Sequence, residues 1–388
     1  MPLPLAARMH DIQPFHVMEL LRRAHELEAQ GRDIIHMEVG EPDFPTPQPV
    51  IEAALRFTHG GRVAYTPAMG LPALREAISA FYRTRFAAEV PASRIVITPG
   101  ASGALMLALA LTTDPGDEWL IPDPSYPCNR HLVRSFEGRN RALPVTAESR
   151  YQPTAAQVEH AWSAHTRGLM VATPSNPTGT LLGPDELLAL NHTCRRHNGV
   201  LIVDEIYQGL TYGVESSSAL ALFDNAFVIN SFSKYFGMTG WRLGWLVVPA
   251  GYEREVEKLS QHFFIAASTP AQHAALAAFG PDTLAILEQR RTAFAERRAA
   301  LLPALRELGF VLHTEPQGAF YLYADISGLA SDAETLARRL IEEAGVATTP
   351  GLDFGQYRAT QHLRLAYTTD TPRLLEACQR IAGMLAQP

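Results

Sequence analysis

Of the 33 lysines and arginines in this 388-residue chain only two are lysines, Lys234 and Lys258. A sequence that meets nearly every need for positive charge with arginine gives a retained lysine a chemical meaning. Arginine does not lose its proton in water, whereas a lysine amine can, and it then attacks a carbonyl to form an imine. Lys258 lies in GYEREVEKLSQHF among Glu253, Arg254, Glu255 and Glu257, the pattern of a solvated helix face. Lys234 lies in NSFSKYFGMTGWRLGW, a segment rich in serine and glycine, and is the lysine expected to do chemistry.

Other residues near Lys234 or at apolar strand ends suit a phosphorylated ligand. Ser231, Ser233 and Arg242 flank Lys234 and offer two hydroxyl donors and a bidentate guanidinium to one phosphate. Gly100-Ala101-Ser102-Gly103 comes between the β-branched run RIVIT and an apolar helix over 104–111. Such a turn points free N–H groups and the positive end of a helix dipole at an anion. It fits neither GxxxxGK[ST] nor GxGxxG, so a nucleotide is weakly supported. Asp204 directly follows Val200–Val203 and reads either as a helix N-cap or as a charge at a ligand site. Asn176 in PSNPTG reads as a turn residue or as part of the same site. Tyr207, three residues past Asp204, shares its face on a helical turn and on its own reads as packing. An anion cradle, one lysine and a strand-end carboxylate together suggest a phosphorylated cofactor held by an imine.

These residues need a scaffold of strands that end at one edge. Residues 14–30 have helical apolar spacing and stop at Gly31; a short apolar run, Ile34–Val39, then meets the turn-rich GEPDFPTPQP. From about residue 70, helices alternate with short β-branched runs at 94–98, 118–121, 168–173, 200–203, 226–230 and 243–248. Near-continuous apolar strands separated by helices predict an α/β fold with a mostly parallel sheet covered on both faces. After about residue 280 a long helix over 284–308 leads to strands near 310–313 and 319–324, a helix over 333–343 and a strand at 362–366. That predicts a smaller α+β domain. The expected division is an N-terminal arm with part of the small domain over 1–45, a large domain over 46–283 and the small domain over 284–388.

Composition narrows the class further. Hydrophobic residues make up 47% and charged residues 19%, an ordinary globular balance. A net charge of -7 gives no basic field for a phosphate backbone, so nucleic acid is not the expected partner. No apolar stretch is long enough to cross a bilayer, and the N-terminus lacks the charged and long apolar regions of a signal peptide. The cysteines Cys128, Cys194 and Cys378 form no CxxC pair, so neither a disulfide framework nor a metal is expected. A cytoplasmic enzyme is the expected class.

The tract from Ser231-Phe232-Ser233-Lys234 to Gly240-Trp241-Arg242-Leu243-Gly244 resembles the pyridoxal-phosphate attachment signature of the class I/II aminotransferases, enzymes of fold type I. The order of Asn176, Asp204, Tyr207, Lys234, Arg242 and Arg364, and the segments VGEPDFPTP, YTPAMGLPALREAI, DPSYP and PSNPTG, extend the resemblance over nearly the whole chain. It implies a large domain built on a seven-stranded sheet, pyridoxal 5′-phosphate as cofactor, and amino-group transfer from an L-amino acid to a 2-oxo acid by ping-pong half-reactions. It further implies that Lys234 carries the cofactor and acts as general base, that Asp204 pairs with the pyridine nitrogen, and that Asn176 and Tyr207 bond its phenolic oxygen. Tyr126 would stack on the ring, and Gly100, Ala101, Ser102, Ser231, Ser233 and Arg242 would hold the phosphate. Arg364, assisted by the Gly40 N–H and by Asn176, would clamp the substrate carboxylate. Tyr65 would reach the phosphate of a neighbouring subunit, so a homodimer is implied.

Some aspartate-specific members of that family place a lysine in the phosphate loop to hold a distal carboxylate; here Ser102 stands in that region and no lysine does. The expected donor is therefore neutral or broad, with 2-oxoglutarate or pyruvate as acceptor. A lyase, racemase or synthase would use the same residues, and a non-catalytic ligand-binding module is a third reading.

Overall fold

The computed structural model describes residues 3–386. Its strands, in chain order, are β1 (Ile35–His36), β2 (Ile95–Thr98), β3 (Glu118–Asp123), β4 (Arg139–Pro144), β5 (Thr166–Ala172) and β6 (Val200–Asp204). They continue with β7 (Phe227–Ser231), β8 (Gly244–Val247), β9 (Tyr321–Asp325), β10 (Val346–Ala347), β11 (Thr349–Pro350) and β12 (His362–Ala366). Seven of them form the main sheet in the order β2-β8-β7-β6-β5-β3-β4. Only β8 runs against the rest, antiparallel to both β2 and β7.

Alternation along these strands feeds two cores. Ile95, Ile97, Leu169, Val171, Leu201, Val203, Val228 and Trp245 point to one face. Val96, Met170, Ile202, Phe227, Ile229 and Leu246 point to the other, beneath the helix Gly100–Thr112. Both faces are covered, so the strands read as unbroken apolar runs rather than alternating ones. Each such side chain contributes about 1.5–3 kcal/mol of burial.

Beside the main sheet, β11-β12-β9 form an antiparallel three-stranded sheet, and β1 pairs with β10. The helix Pro281–Glu307 leads from the large sheet toward β9. The helix His16–Ala29 buries Ala24 and Leu27 against Ile34, Ile341 and Ala347. No helix among the described residues is long and apolar enough to cross a membrane.

Several expectations need correction. β4 (RNRALP) is absent from the strands read in the sequence, because it is a polar edge strand with Leu143 alone buried. The strand expected over 310–313 reduces to a single bridge, Val311 to Asp325. The helix expected over 333–343 is regular only over Ala333–Arg339 and widens into a π turn at Leu340–Ala344. Gly100 through Gly103 are not a loop but the first turn of the helix Gly100–Thr112.

Candidate active site

The carboxyl ends of the parallel strands meet in a cavity of about 280 Å³. Ala172 ends β5 and pairs in register with Asp204, which ends β6. Gly40, Ala101, Ser102, Tyr126, Asn176, Asp204, Tyr207, Ser233, Lys234, Arg242 and Arg364 all line this cavity. Three of the residues singled out in the sequence do not. Gly100 lies under the guanidinium of Arg242, Ser231 is fully buried behind Ser233, and Tyr65 is 82% exposed on the surface.

Lys234 follows β7 on a loop and projects across the cavity, where its Nζ donates to the Gly40 carbonyl at 2.6 Å. Burial lowers its amine to about 8; Glu41 opposes that shift, while Arg364 and Arg242 add to it. Asp204 is buried and accepts from the Ile206 N–H at 3.0 Å, which turns the chain sharply after β6 instead of starting a helix. Burial pushes its carboxyl up to about 6, while the Ile206 N–H and Lys234 pull it down. Glu205, one residue on, points away and is held by Ser218 Oγ at 2.8 Å and the Ala219 N–H at 2.6 Å.

At one end of the cavity is an anion cradle. The helix Gly100–Thr112 begins beside Arg242, whose Nη1 donates to Thr239 O at 3.0 Å. Glycine is required at two points here. A Cβ on Gly100 (φ +70) would lie 2.7 Å from Arg242 Nη2, and one on Gly244 would lie 2.8 Å from the Ala101 nitrogen. The Ser231 hydroxyl, with its one hydrogen, lies 3.0 Å from Ser233 Oγ and 3.1 Å from Leu243 O and accepts from the Ser233 N–H at 3.1 Å, so it braces the loop one layer behind the cavity wall.

At the other end is Arg364 on β12. Its Nη1 donates to Asn176 Oδ1 at 3.0 Å, and its Nη2 to the Glu38 carbonyl and to Thr349 Oγ1 at 3.3 Å. The guanidinium lies between two rings, 4.4 Å from the centre of Tyr321 and 4.7 Å from that of Phe354. Its buried Nε has no partner, and no carboxylate forms an ion pair with it among the described residues. A buried guanidinium so placed is suited to an anionic ligand group.

Sequence reasoning missed Tyr321, Phe354, Thr349 and Glu38. The Tyr321 hydroxyl is 2.8 Å from that of Tyr207. On the sheet it is diagonal to Arg364, since Arg364 pairs with Tyr323 and Ala366 with Tyr321. Only the β9–β12 register could have revealed it. Glu38 is buried beside His36, whose imidazole is raised to about 9 by its hydrogen bond to the Glu38 carboxylate. From the N-terminal side, Phe15, Val17, Met18 and Leu21 complete the wall.

The profile of the family described as aminotransferase class I and II matches residues 32–381. The chain belongs to that family. A valine–pyruvate aminotransferase of Mycobacterium tuberculosis is 37% identical to this aminotransferase over 376 residues, 96% of this chain and 97% of its own. The crystal structure of an aminotransferase from Mycobacterium tuberculosis superposes with a TM-score of 0.96 at 36% identity, covering 100% of both chains. The aspartate aminotransferase of Thermus thermophilus with maleate gives a TM-score of 0.93 at 33% identity, covering 99% of this chain and 100% of that one. The fold is that of the fold type I aminotransferases.

Pyridoxal 5′-phosphate is the cofactor of this aminotransferase. The cavity fits it. An amine of lowered pKa stands where an imine can form, and a buried carboxylate faces it from β6. The helix Gly100–Thr112 starts beside Arg242, and Ala101, Ser102 and Ser233 line the cavity there, so helix-start N–H groups, hydroxyls and a guanidinium are at hand for a phosphate group.

Proposed function

We propose that this aminotransferase moves the amino group of a neutral L-amino acid to a small 2-oxo acid, pyruvate or 2-oxoglutarate, in two half-reactions. The carrying observation is the basic inventory of the cavity. Among the described residues its only lysine and arginine side chains are Lys234, Arg242 and Arg364, while Phe15, Val17, Met18, Leu21, Leu105 and Ile206 supply an apolar wall. With Arg242 on the phosphate and Arg364 on the substrate α-carboxylate, no third cation remains for a distal carboxylate. The Mycobacterium tuberculosis relative, named for valine and pyruvate, supports the same reading.

When bound, pyridoxal 5′-phosphate supplies an electron sink for charge developing at the substrate Cα. Lys234 holds the cofactor at rest and, once released, removes and returns the Cα proton. With its amine at about 8, roughly one molecule in ten is neutral at pH 7, against fewer than about one in a thousand for free lysine. Asp204 keeps the ring nitrogen protonated, and Tyr126 covers the ring face. Asn176 and Tyr207 donate to the phenolic oxygen. Gly100, Ala101, Ser102, Ser233 and Arg242 hold the phosphate, with Ser231 supporting Ser233. Arg364, with Asn176 and the Gly40 N–H, aligns the substrate carboxylate. Tyr65, exposed like Leu55 and Val63, completes the site of a second copy in a two-fold dimer.

The test is a panel of donors mixed singly with holoenzyme without an oxo acid, followed by a panel of acceptors. Valine, alanine and leucine should convert the cofactor spectrum faster than aspartate, and pyruvate should restore it. Aspartate outrunning every neutral donor tenfold would overturn the assignment.

A further inference from the structure

Two tyrosine hydroxyls meet at the centre of the cavity, and the second has no role in the functional reading above. Tyr321 is fully buried, and its hydroxyl lies 2.8 Å from that of Tyr207. Its ring is pinned: Arg364 lies over it at 4.4 Å, and the rings of Tyr207 and Phe320 meet it edge-on at 5.7 and 4.9 Å. The hydroxyl end abuts Gly40, where a Cβ would stand 1.8 Å from the Tyr321 oxygen. Tyr321 therefore cannot turn its hydroxyl away from Tyr207.

A hydroxyl has one hydrogen to give and two lone pairs to receive with. If Tyr207 gives its hydrogen to the cofactor's phenolic oxygen, the hydrogen between the two tyrosines belongs to Tyr321. Donation into Tyr207 polarises its O–H bond and strengthens what Tyr207 donates onward.

We propose that Tyr321 is a positioning residue, whose hydroxyl donates to Tyr207 and thereby strengthens and aims the hydrogen bond from Tyr207 to the cofactor's phenolic oxygen. This rests on the functional reading of Tyr207 given above. The phenolic oxygen is held in its ionised form by that bond, so the bond lowers the pH at which the resting holoenzyme's absorbance changes.

The experiment is a pH titration of the absorbance of holoenzyme without substrate, for the parent protein, Tyr321→Phe, Tyr207→Phe and the double variant. Tyr207→Phe should raise the midpoint by about one unit, the worth of one hydrogen bond to a charged acceptor. Tyr321→Phe should raise it by roughly 0.2–0.3 unit, the upper part of the 10–30% by which one hydrogen bond strengthens the next. The double variant should match Tyr207→Phe alone, because Tyr321 acts only through Tyr207. Tyr321→Phe keeps the ring under Arg364, so the donor KM should stay within about twofold. If Tyr207→Phe leaves the midpoint in place, the reading of Tyr207 falls and this inference with it. If Tyr207→Phe moves the midpoint and Tyr321→Phe shifts it by less than about 0.1 unit, the inference alone falls. An equal Tyr321→Phe shift in the Tyr207→Phe background also overturns it, as does a raised KM with an unmoved midpoint.

Discussion

Replacing Gly40 by alanine adds one methyl group at the point where the lysine loop, the aromatic pair and the carboxylate end of the cavity meet. The new Cβ would lie 1.8 Å from the Tyr321 oxygen and 2.8 Å from Tyr321 Cζ, whereas ordinary contact begins at 3.4 Å. Gly40 is not among the residues with positive φ, so alanine is tolerated by the backbone and the cost is steric alone. To clear the methyl the hydroxyl must retreat far enough to break its 2.8 Å bond to Tyr207. It has no free direction, with Arg364 over the ring and the side chain fully buried. Overpacking of this kind costs about 1–3 kcal/mol, and the lost hydrogen bond about 1 kcal/mol more. The variant should therefore unfold at lower denaturant, and any strain left in the folded state should raise the donor KM about tenfold through a displaced Arg364. Denaturation of the apoprotein and steady-state kinetics measure the two parts. A double variant identifies the cause, since Tyr321→Phe removes the atom that clashes worst and should recover about 1 kcal/mol of the Gly40→Ala loss. Losses that add to within about 0.3–0.5 kcal/mol would refute the steric argument.

Two further outcomes follow from the charged groups. Lys234→Ala should abolish the borohydride-reducible adduct and lower turnover by roughly 10³-fold or more, while the apoprotein unfolds no earlier, because a buried amine facing Arg364 and Arg242 is removed. An adduct that persists would move attachment to Lys258, which is half-exposed and bonded to Glu255 at 2.7 Å. Asp204 is raised from 3.8 to about 6 by burial, so folding of the apoprotein opposes its ionisation. The stability this carboxyl contributes is fully present below pH 4 and is lost as pH rises through 6. Asp204→Asn, which cannot ionise, should gain on the parent apoprotein by up to about 3 kcal/mol between pH 4 and pH 7 in denaturant titrations. A gap that does not change with pH would contradict burial as the cause.

What the sequence made legible was whatever is set by chain-local chemistry. Lys234, Arg242 and the first turn after β2 lie in short tracts whose residue types have few other uses, and Asp204 and Asn176 follow strands that read as unbroken apolar runs. Register is not local. Tyr321 reads as one aromatic in a strand, and only the pairing of β9 with β12 sets it diagonal to Arg364. Glu38 looks like a charge after a short strand, yet it is buried, with its carbonyl accepting from Arg364 and from Thr349 Oγ1. β4 escaped because an edge strand needs only one apolar residue, and its arginines look like loop. Ser231 and Ser233 look equivalent by type, but Ser231 is the last residue of β7, with its hydroxyl beside the Leu243 carbonyl, and only Ser233, on the loop beyond the strand, reaches the cavity wall.

The reversed strand explains why one loop can carry both the lysine and the phosphate arginine. In a wholly parallel sheet, the strand after β7 would begin at the opposite edge, and a crossover would carry the chain away from the carboxyl ends. Here β8 runs antiparallel, so Gly244 at its start pairs with Ser231 at the end of β7 and with Thr98 at the end of β2. The loop between Ser231 and Gly244 never leaves the ligand edge of the sheet. It places Lys234 near Asp204 and returns Arg242 to the first turn of the helix after β2. Gly244 lacks a Cβ where one would meet the Gly100 carbonyl carbon at 2.7 Å, which lets the helix start settle directly over the β8 edge. One strand direction thus brings together, through a short connection, an amine and an anion site that the remaining parallel strands could not supply from adjacent residues.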